Sequence, residues 1–416
     1  MVKLIWTVAV SGLVIALGLL LVLRWLGCAG LPLPGYRSCP PSRRVEVGRR
    51  TCSQVFAAAL LFRLVIFLAV AAYACLVLYP GSGTGWALDI WKKWDAWHYV
   101  NLAELGYDGY VEDGQHLFLV FFPLYPWLVR LVSLFTGNTM AAGLLVSFLC
   151  FAGGCVYLYK LAAWELGEGA ARRAVAFLSL FPYAFFFGGV MTESLFFLAT
   201  AAALWHIRRH HWWAAGLWGV LAALRRMHGL LLIGAAGAEL VEHLGGFRWR
   251  AILRKLPALL LPALGTLGYL TLNWWVTGDP FAFTEMQKHW SQGFCWISDT
   301  LWYVWDNALH YPTISVRYEI WIPTILLFPL FFALLWWAKK RFRSMYTLYA
   351  FACLVLNYSL SWLLSAGRYL SCALPFFLFA AALTEKHRRL TMPLAAVSAL
   401  GFLIALRAYL TGGQIM

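Results

Sequence analysis

The sequence carries little charge: only 12% of its 416 residues are Asp, Glu, Lys or Arg, whereas 62% are hydrophobic. Soluble domains have about 25% charged and about 45–50% apolar residues, so this balance excludes an ordinary soluble domain. Apolar runs of about 20 residues recur along the chain, and each is long enough to cross a bilayer. Because lipid offers the backbone no hydrogen-bond partners, such runs must be helical. The composition therefore predicts an all-α fold, a polytopic transmembrane helical bundle.

Signatures of metal and disulfide chemistry are also missing. The chain contains no CxxC, no HExxH and no DxD pair. Its nine cysteines are odd in number, and most lie within apolar runs, which is typical of small buried side chains and not of a disulfide framework. We therefore predict no metal site and no cofactor, although the sequence leaves a divalent metal open.

The apolar runs predict a series of membrane spans. Their approximate bounds are 4–24, 55–79, 139–161, 173–190, 194–207, 212–226, 229–243, 256–276, 319–338, 345–363, 369–384 and 391–410. We divide the chain into residues 1–54, an N-terminal membrane anchor with a basic cytoplasmic linker, and residues 55–416, a multi-span domain.

The formal net charge of +15 would suit a nucleic-acid partner, but its distribution indicates a membrane topology instead. Most basic residues fall in one alternate set of short loops, as the positive-inside rule describes for cytoplasmic loops. The opposite face holds most of the acids and two long segments, residues 80–138 and 277–318. Loops of this length are usually functional. We therefore expect no nucleic-acid partner and an active site on the outer or luminal face of the plasma membrane or endoplasmic reticulum.

The first outer segment contains WKKWDAWHYVNLAELGYDGY, in which aromatic and polar residues recur at helical spacing. This pattern predicts an amphipathic helix in the membrane interface. Asp95 and His98, three residues apart, would share one side of it and are candidates for acid–base catalysis. The alternative is a solvated helix whose aspartate caps the helix or faces water. Pro123 and Pro126 predict the start of another juxtamembrane helix.

Glu193 lies between two apolar runs at the outer end of a predicted span. An acid at such a boundary is costly and often functional. The alternative is an acid that complements the dipole of the following helix.

Three arginines near the outer face run against the positive-inside bias: Arg225, Arg226 and Arg368. Snorkelling to lipid headgroups would explain any one of them, but several on one face favour a phosphate site, because guanidinium binds phosphate in a bidentate manner. We expect Arg368 to be the main contact, since Gly367 would admit a ligand close to the backbone. We expect only one of Arg225 and Arg226 to take part, because neighbours on one helix point in different directions.

The segments WDAWHYVNLAELGY, FFPLYP, MTESLFF, an arginine-rich turn before His228, and TGDPFAF follow one another in this order. In this combination the chain resembles the PIG-V family of mannosyltransferases, which is similar to the GT-C class of polyprenyl-phosphate-sugar-dependent glycosyltransferases. The similarity covers most of residues 55–385. It implies a GT-C-like helical bundle.

The resemblance also implies roles for particular residues. Asp95 matches the catalytic aspartate of the family's first motif, His98 its neighbouring histidine, and Glu193 the acid of the TES motif. The first motif and the TGDP motif further imply substrate contacts from Trp94, Trp97, Tyr107 and Asp279.

We thus expect a membrane mannosyltransferase that moves one mannose from a polyprenyl-phosphate donor to a lipid-linked or cell-surface glycan acceptor with inversion. Its partners would be the donor, the acceptor and membrane lipids. The alternative is a polytopic lipid or glycan transporter or flippase. Such a protein would place ionisable groups near the bilayer midplane and usually show internal repeats, and we find no clear repeat in the sequence. The acceptor is not identified by the sequence.

Overall fold

The structure is a computed structural model that describes residues 1–33, 42–80 and 86–415. Part of the predicted basic linker, residues 34–41, and residues 81–85 of the first outer segment lie outside the described residues. The described residues are mainly helical and contain no β-strand beyond isolated bridges such as Phe294–Leu360. The predicted all-α class is therefore confirmed.

The α-helices follow one another as α1 (Val2–Cys28), α2 (Arg49–Tyr73), α3 (Trp86–Asp89), α4 (Asp95–Gly109), α5 (Leu124–Thr136), α6 (Thr139–Leu166), α7 (Glu168–Leu180), α8 (Glu193–Arg208), α9 (Trp212–Arg225), α10 (Leu231–Leu244), α11 (Trp249–Leu260), α12 (Pro262–Thr277), α13 (Ala282–His289), α14 (Ile297–His310), α15 (Ile314–Val316), α16 (Ile322–Ala338), α17 (Ser344–Asn357), α18 (Ala366–Ser371), α19 (Pro375–Lys386) and α20 (Thr391–Leu410). Short 3₁₀ turns cover Leu117–Val120, Ala184–Gly188, Met227–Leu230 and Arg388–Leu390, and π-helical turns cover Ala74–Leu78 and Arg317–Trp321.

Helices long and apolar enough to cross a membrane account for half of the predicted spans. Among the described residues they are Val2–Cys28, Arg49–Leu78, Thr139–Leu166, Trp249–Thr277, Ile314–Ala338 and Arg388–Leu410. The protein is therefore an integral, multi-pass membrane protein.

The other predicted spans contain helices that are shorter than a bilayer-crossing helix. The runs at 173–190, 194–207, 212–226, 229–243, 345–363 and 369–384 contain the shorter helices α7, α8, α9, α10, α17 and α19. The longest of these, α8, has 16 residues and reaches about 24 Å, short of a hydrocarbon core of about 30 Å. Most α8 side chains are buried against other helices. Their apolar character therefore reflects contact with protein, which a hydropathy pattern cannot distinguish from contact with lipid.

The N-terminal helix α1 packs against the multi-span region at both of its ends. Near its start, Trp6 Nε1 donates a hydrogen bond to the carbonyl of Ser298 at 3.1 Å. Near its end, Trp25 Nε1 donates to the carbonyl of Ala238 at 3.2 Å. The predicted anchor is thus packed on the bundle along its length.

The ion pairs of the described residues join charges that the sequence assigns to the same face. On the predicted inner face, Glu239 pairs with Arg343 Nε at 2.6 Å and with Arg208 Nη1 at 3.4 Å. On the predicted outer face, Arg368 pairs with Asp95. The ion pairs among the described residues are therefore consistent with the division into two faces that the loop charges predict.

Candidate active site

A cavity of about 280 Å³ lies at the end of the bundle that carries the predicted outer segments. Its walls come from α4, α8, α9, α13, α18 and the segments that connect them. The residues from the sequence prediction that line it are Asp95, Glu193, Arg225, Arg226 and Arg368. The fold thus collects, from four distant stretches of chain, the acids and arginines that the sequence pointed to separately.

Glu193 is at the centre of the ion pairs in this cavity. It is 1% exposed, and its Oε1 accepts hydrogen bonds from Arg225 Nη2 at 3.0 Å and from Arg368 Nε at 2.8 Å. Arg225 also donates to the hydroxyl of Thr192. Glu193 begins α8 and Arg225 ends α9, so each charge also complements the dipole of its own helix. Both arginines thus pair with the same oxygen of this carboxylate.

Arg368 bridges Glu193 to the second carboxylate of the cavity, that of Asp95. Arg368 is 4% exposed, and its Nη1 lies 2.6 Å from Asp95 Oδ2. The Asp95 side chain is 35% exposed, and its Oδ1 has no hydrogen bond to the described residues. Asp95 is therefore held in orientation through one oxygen while the other is free to meet a substrate.

The position of Arg368 depends on Gly367. A Cβ atom added to Gly367 would lie 2.1 Å from Cε2 of Tyr183, closer than real Cβ contacts allow. Our expectation that Gly367 admits a ligand is therefore wrong, because the ring of Tyr183 occupies that space.

Arg226 lines the cavity and has no carboxylate partner among the described residues. Helix α9 ends at Arg225, and Arg226 has an extended backbone with φ −163° and ψ 141°. Both arginines can therefore face the cavity, contrary to the expectation from a continuous helix. The Arg226 guanidinium stands 3.7 Å from the ring centre of Tyr369, and it forms no hydrogen bond or ion pair with the described residues.

His228 also lines the cavity, in the 3₁₀ turn Met227–Leu230 that follows the two arginines. Burial, and then the charges of Arg226 and Arg225, hold the pKa of His228 well below 6.5, so the ring is neutral at pH 7. Sequence analysis did not assign it a role. The available signal was its place two residues after Arg226.

His98 lies beside the cavity-lining residues but does not line the cavity itself. Its Nδ1 is 3.0 Å from the hydroxyl of Tyr110, and its ring stacks on Phe118 with 4.7 Å between ring centres. His98 therefore packs in an aromatic cluster, where burial lowers its pKa and the nearby charge of Asp95 acts in the opposite direction.

The four residues predicted to contact substrate also lie outside the cavity lining. Trp94 precedes α4 with a positive φ of 53°, and Trp97 is 50% exposed with Lys92 Nζ 4.0 Å from its ring centre. Tyr107 is buried and donates a hydrogen bond to the carbonyl of Phe121 at 2.6 Å. Asp279 accepts a hydrogen bond from the backbone N–H of Phe281 at 2.9 Å. In the structure, Trp97, Tyr107 and Asp279 thus contact neighbouring parts of the chain outside the cavity.

Several wall residues were not singled out by the sequence: Tyr99, Phe121, Phe122, Gln287, Trp290 and Tyr369. Tyr99 is four residues after Asp95 and therefore one helical turn away, which was a usable signal. In the described part of the chain, no three His, Cys, Asp or Glu side chains are grouped so as to hold a metal ion. Metal dependence stays a prediction.

Comparison with known families gives one match. Residues 122–274 match the family model of dolichyl-phosphate-mannose-protein mannosyltransferases. This match makes the chain a membrane glycosyltransferase, and it supports a GT-C mannosyltransferase family. The matched stretch is a little over a third of this glycosyltransferase and includes Glu193, Arg225, Arg226 and His228, while Asp95 and Arg368 lie outside it. The match does not extend to the PIG-V family specifically. No curated protein and no solved structure gives a significant match.

Proposed function

We propose that the enzyme transfers one mannose from a dolichyl-type polyprenyl-phosphate donor to a hydroxyl of a lipid-linked or cell-surface glycan, with inversion at the anomeric carbon. The observation that carries this proposal is the cavity in which Asp95 offers one free carboxylate oxygen beside three arginines. The family match supports the sugar and the type of carrier. The charge distribution of the loops supports a site on the outer or luminal face.

Asp95 is the general base in this proposal. As the acceptor oxygen attacks the anomeric carbon, Asp95 Oδ1 takes the hydroxyl proton, and the bond from that carbon to the phosphate oxygen breaks. A general base must lie within hydrogen-bond reach of the proton that it removes. Arg368 fixes the orientation of the carboxylate through Oδ2. Glu193 is a positioning residue here, because it contacts the reacting atoms only through Arg368.

The charge of the cavity suits the donor. Asp95 and Glu193 contribute two negative charges, and Arg225, Arg226 and Arg368 contribute three positive ones, which leaves one positive charge. A phosphodiester carries one negative charge and accepts parallel N–H bonds from guanidinium. Arg225 and Arg368 are engaged by Glu193 and Asp95, so Arg226 is the arginine whose charge is available. It would bind the donor phosphate and stabilise the charge that develops as the phosphate leaves.

Transfer of label tests this proposal. The protein is reconstituted in liposomes with polyprenyl-phosphate [¹⁴C]mannose and a lipid extract, and label is followed into acceptor lipid or glycan. We expect Asp95→Asn to reduce transfer by about 10²–10⁴-fold, the usual share of acid–base catalysis, while donor binding is kept. The matched control is Asp306→Asn, because Asp306 is 61% exposed and pairs only with the exposed His310.

Two outcomes would contradict the proposal. Wild-type turnover in Asp95→Asn would remove Asp95 as the base. Movement of intact donor across the liposome membrane without transfer of mannose would instead support a flippase.

A further inference from the structure

We infer that His228 binds a hydroxyl of the transferred sugar and thereby helps to select it. The inference rests on the proposed function and extends it to substrate recognition. His228 lines the cavity next to Arg225 and Arg226, so a donor whose phosphate meets Arg226 would carry its sugar into the same space.

The His228 ring has no hydrogen-bond partner in the part of the chain that the structure describes. Its Nε2 is buried and unpaired, and no hydrogen bond joins the ring to the described residues. Buried polar atoms are nearly always paired in native proteins, and leaving one unpaired is costly. The described residues therefore leave a hydrogen-bonding atom of this ring unused, and a ligand in the cavity can pair with it.

The position of His228 is set by the backbone. The N–H of Gly229 donates to the carbonyl of Arg226 at 2.8 Å. A Cβ atom at Gly229 would lie 2.3 Å from the backbone nitrogen of Ala223, so only glycine permits this contact between the turn and α9. The turn is thus fixed against α9, and the imidazole is held at the cavity wall before ligand arrives.

The chemistry of the ring favours a hydroxyl over a phosphate. A neutral imidazole has one donor and one acceptor nitrogen, which matches the donor and acceptor character of a sugar hydroxyl. Two other buried atoms of cavity residues are also unpaired, the acceptor Glu193 Oε2 and the donor Arg225 Nε. A mixed set of donors and acceptors suits a polyol, whereas a phosphate would need donors alone.

The test compares His228→Ala and His228→Gln with the control His310→Gln, which alters an exposed histidine of the same predicted face. Donors carrying mannose and its 2-, 3-, 4- and 6-deoxy forms are used with each variant. We expect His228→Ala to lower kcat/KM for mannose by about 10- to 100-fold, as for a buried hydrogen bond left unmade, and His228→Gln to recover part of the loss. A site built around a hydroxyl discriminates against the analogue that lacks it. For one deoxy donor, the kcat/KM of wild type should therefore be lower than for mannose. With that same donor, His228→Ala should have the same kcat/KM as wild type.

The other outcomes overturn either the inference about His228 alone or the proposed function together with it. If His228→Ala lowers turnover of all donors by one common factor, together with the thermal stability of the protein, the residue is structural and the inference fails while the proposed function stands. If wild type transfers mannose and His228→Ala matches it with every donor, the inference also fails. If wild type transfers no mannose from polyprenyl phosphate, the proposed function fails and the inference fails with it.

Discussion

Replacing Glu193 by glutamine should destabilise the protein although the change is nearly isosteric. Glu193 is 1% exposed, and its Oε1 lies 3.0 Å from Arg225 Nη2 and 2.8 Å from Arg368 Nε. Glutamine keeps an acceptor oxygen but removes the charge, so the cavity changes from one uncompensated positive charge to two. Breaking a buried ion pair costs about 3–5 kcal/mol, because the remaining charge stays buried. The two pairs share one oxygen and are not additive, so we take this range for the whole change.

The assay is thermal and denaturant unfolding of the purified protein in detergent micelles, together with mannose transfer. Glu285→Gln is the matched control, because Glu285 is 64% exposed and pairs with Lys288 at 2.8 Å, an interaction worth about 0–1 kcal/mol. A second variant, Glu193→Gln with Arg225→Met, returns the cavity to its original net charge and should recover part of the stability. If Glu193→Gln lowers the free energy of unfolding no more than Glu285→Gln does, the Glu193 carboxylate does not stabilise the buried arginines. That result would refute our account of the cavity.

Two further predictions concern the phosphate and the topology. Arg226→Lys keeps the charge but loses the bidentate geometry, so the KM for donor should rise roughly tenfold. The control is Arg407→Lys, at an exposed arginine outside the cavity, which should leave the KM for donor unchanged. If both variants have the same KM for donor, the phosphate binds elsewhere. A cysteine introduced at the exposed Gly109 of α4, in a background with the exposed Cys75 replaced by serine, should react with an impermeant thiol reagent from outside or from the lumen. Labelling only after the cytoplasmic face is opened would invert the topology.

Much of the candidate site could be predicted because charged residues are rare beside membrane-spanning apolar runs. An acid or an arginine beside apolar runs is costly, so Glu193, Arg225 and Arg368 were conspicuous in the sequence. The positive-inside rule then placed them on one face. The structure brings them into one cavity with Asp95. Their pairing could not be predicted, since it depends on which short helices meet at the outer end of the bundle.

The predicted aromatic residues and His98 lie outside the cavity lining for a different reason. In this chain Trp and Tyr are abundant at the ends of apolar runs, so position in a motif does not separate a wall residue from an interface anchor. His98 shares a side of α4 with Asp95 by spacing, but the chain leaves helical geometry at Gly106, where φ is 76° and ψ is 178°. That break brings Tyr110 and Phe118 against His98. A tertiary contact thus decided the environment of the ring.

The end of α9 shows most directly why chemistry could not be assigned from sequence spacing alone. On a continuous helix Arg225 and Arg226 would point about 100° apart. Because α9 ends between them and Arg226 is extended, both guanidinium groups reach the cavity with unlike partners. Arg225 is held by Glu193 and Thr192, whereas Arg226 faces only the ring of Tyr369 among the described residues. A phosphate that replaced Glu193 at Arg225 would break one of the two ion pairs of a buried carboxylate, while one that bound Arg226 would break no ion pair. Binding the phosphate at Arg226 therefore costs less free energy than binding it at Arg225. The end of α9 between the two residues allows one arginine to pair with Glu193 and the other to bind the donor.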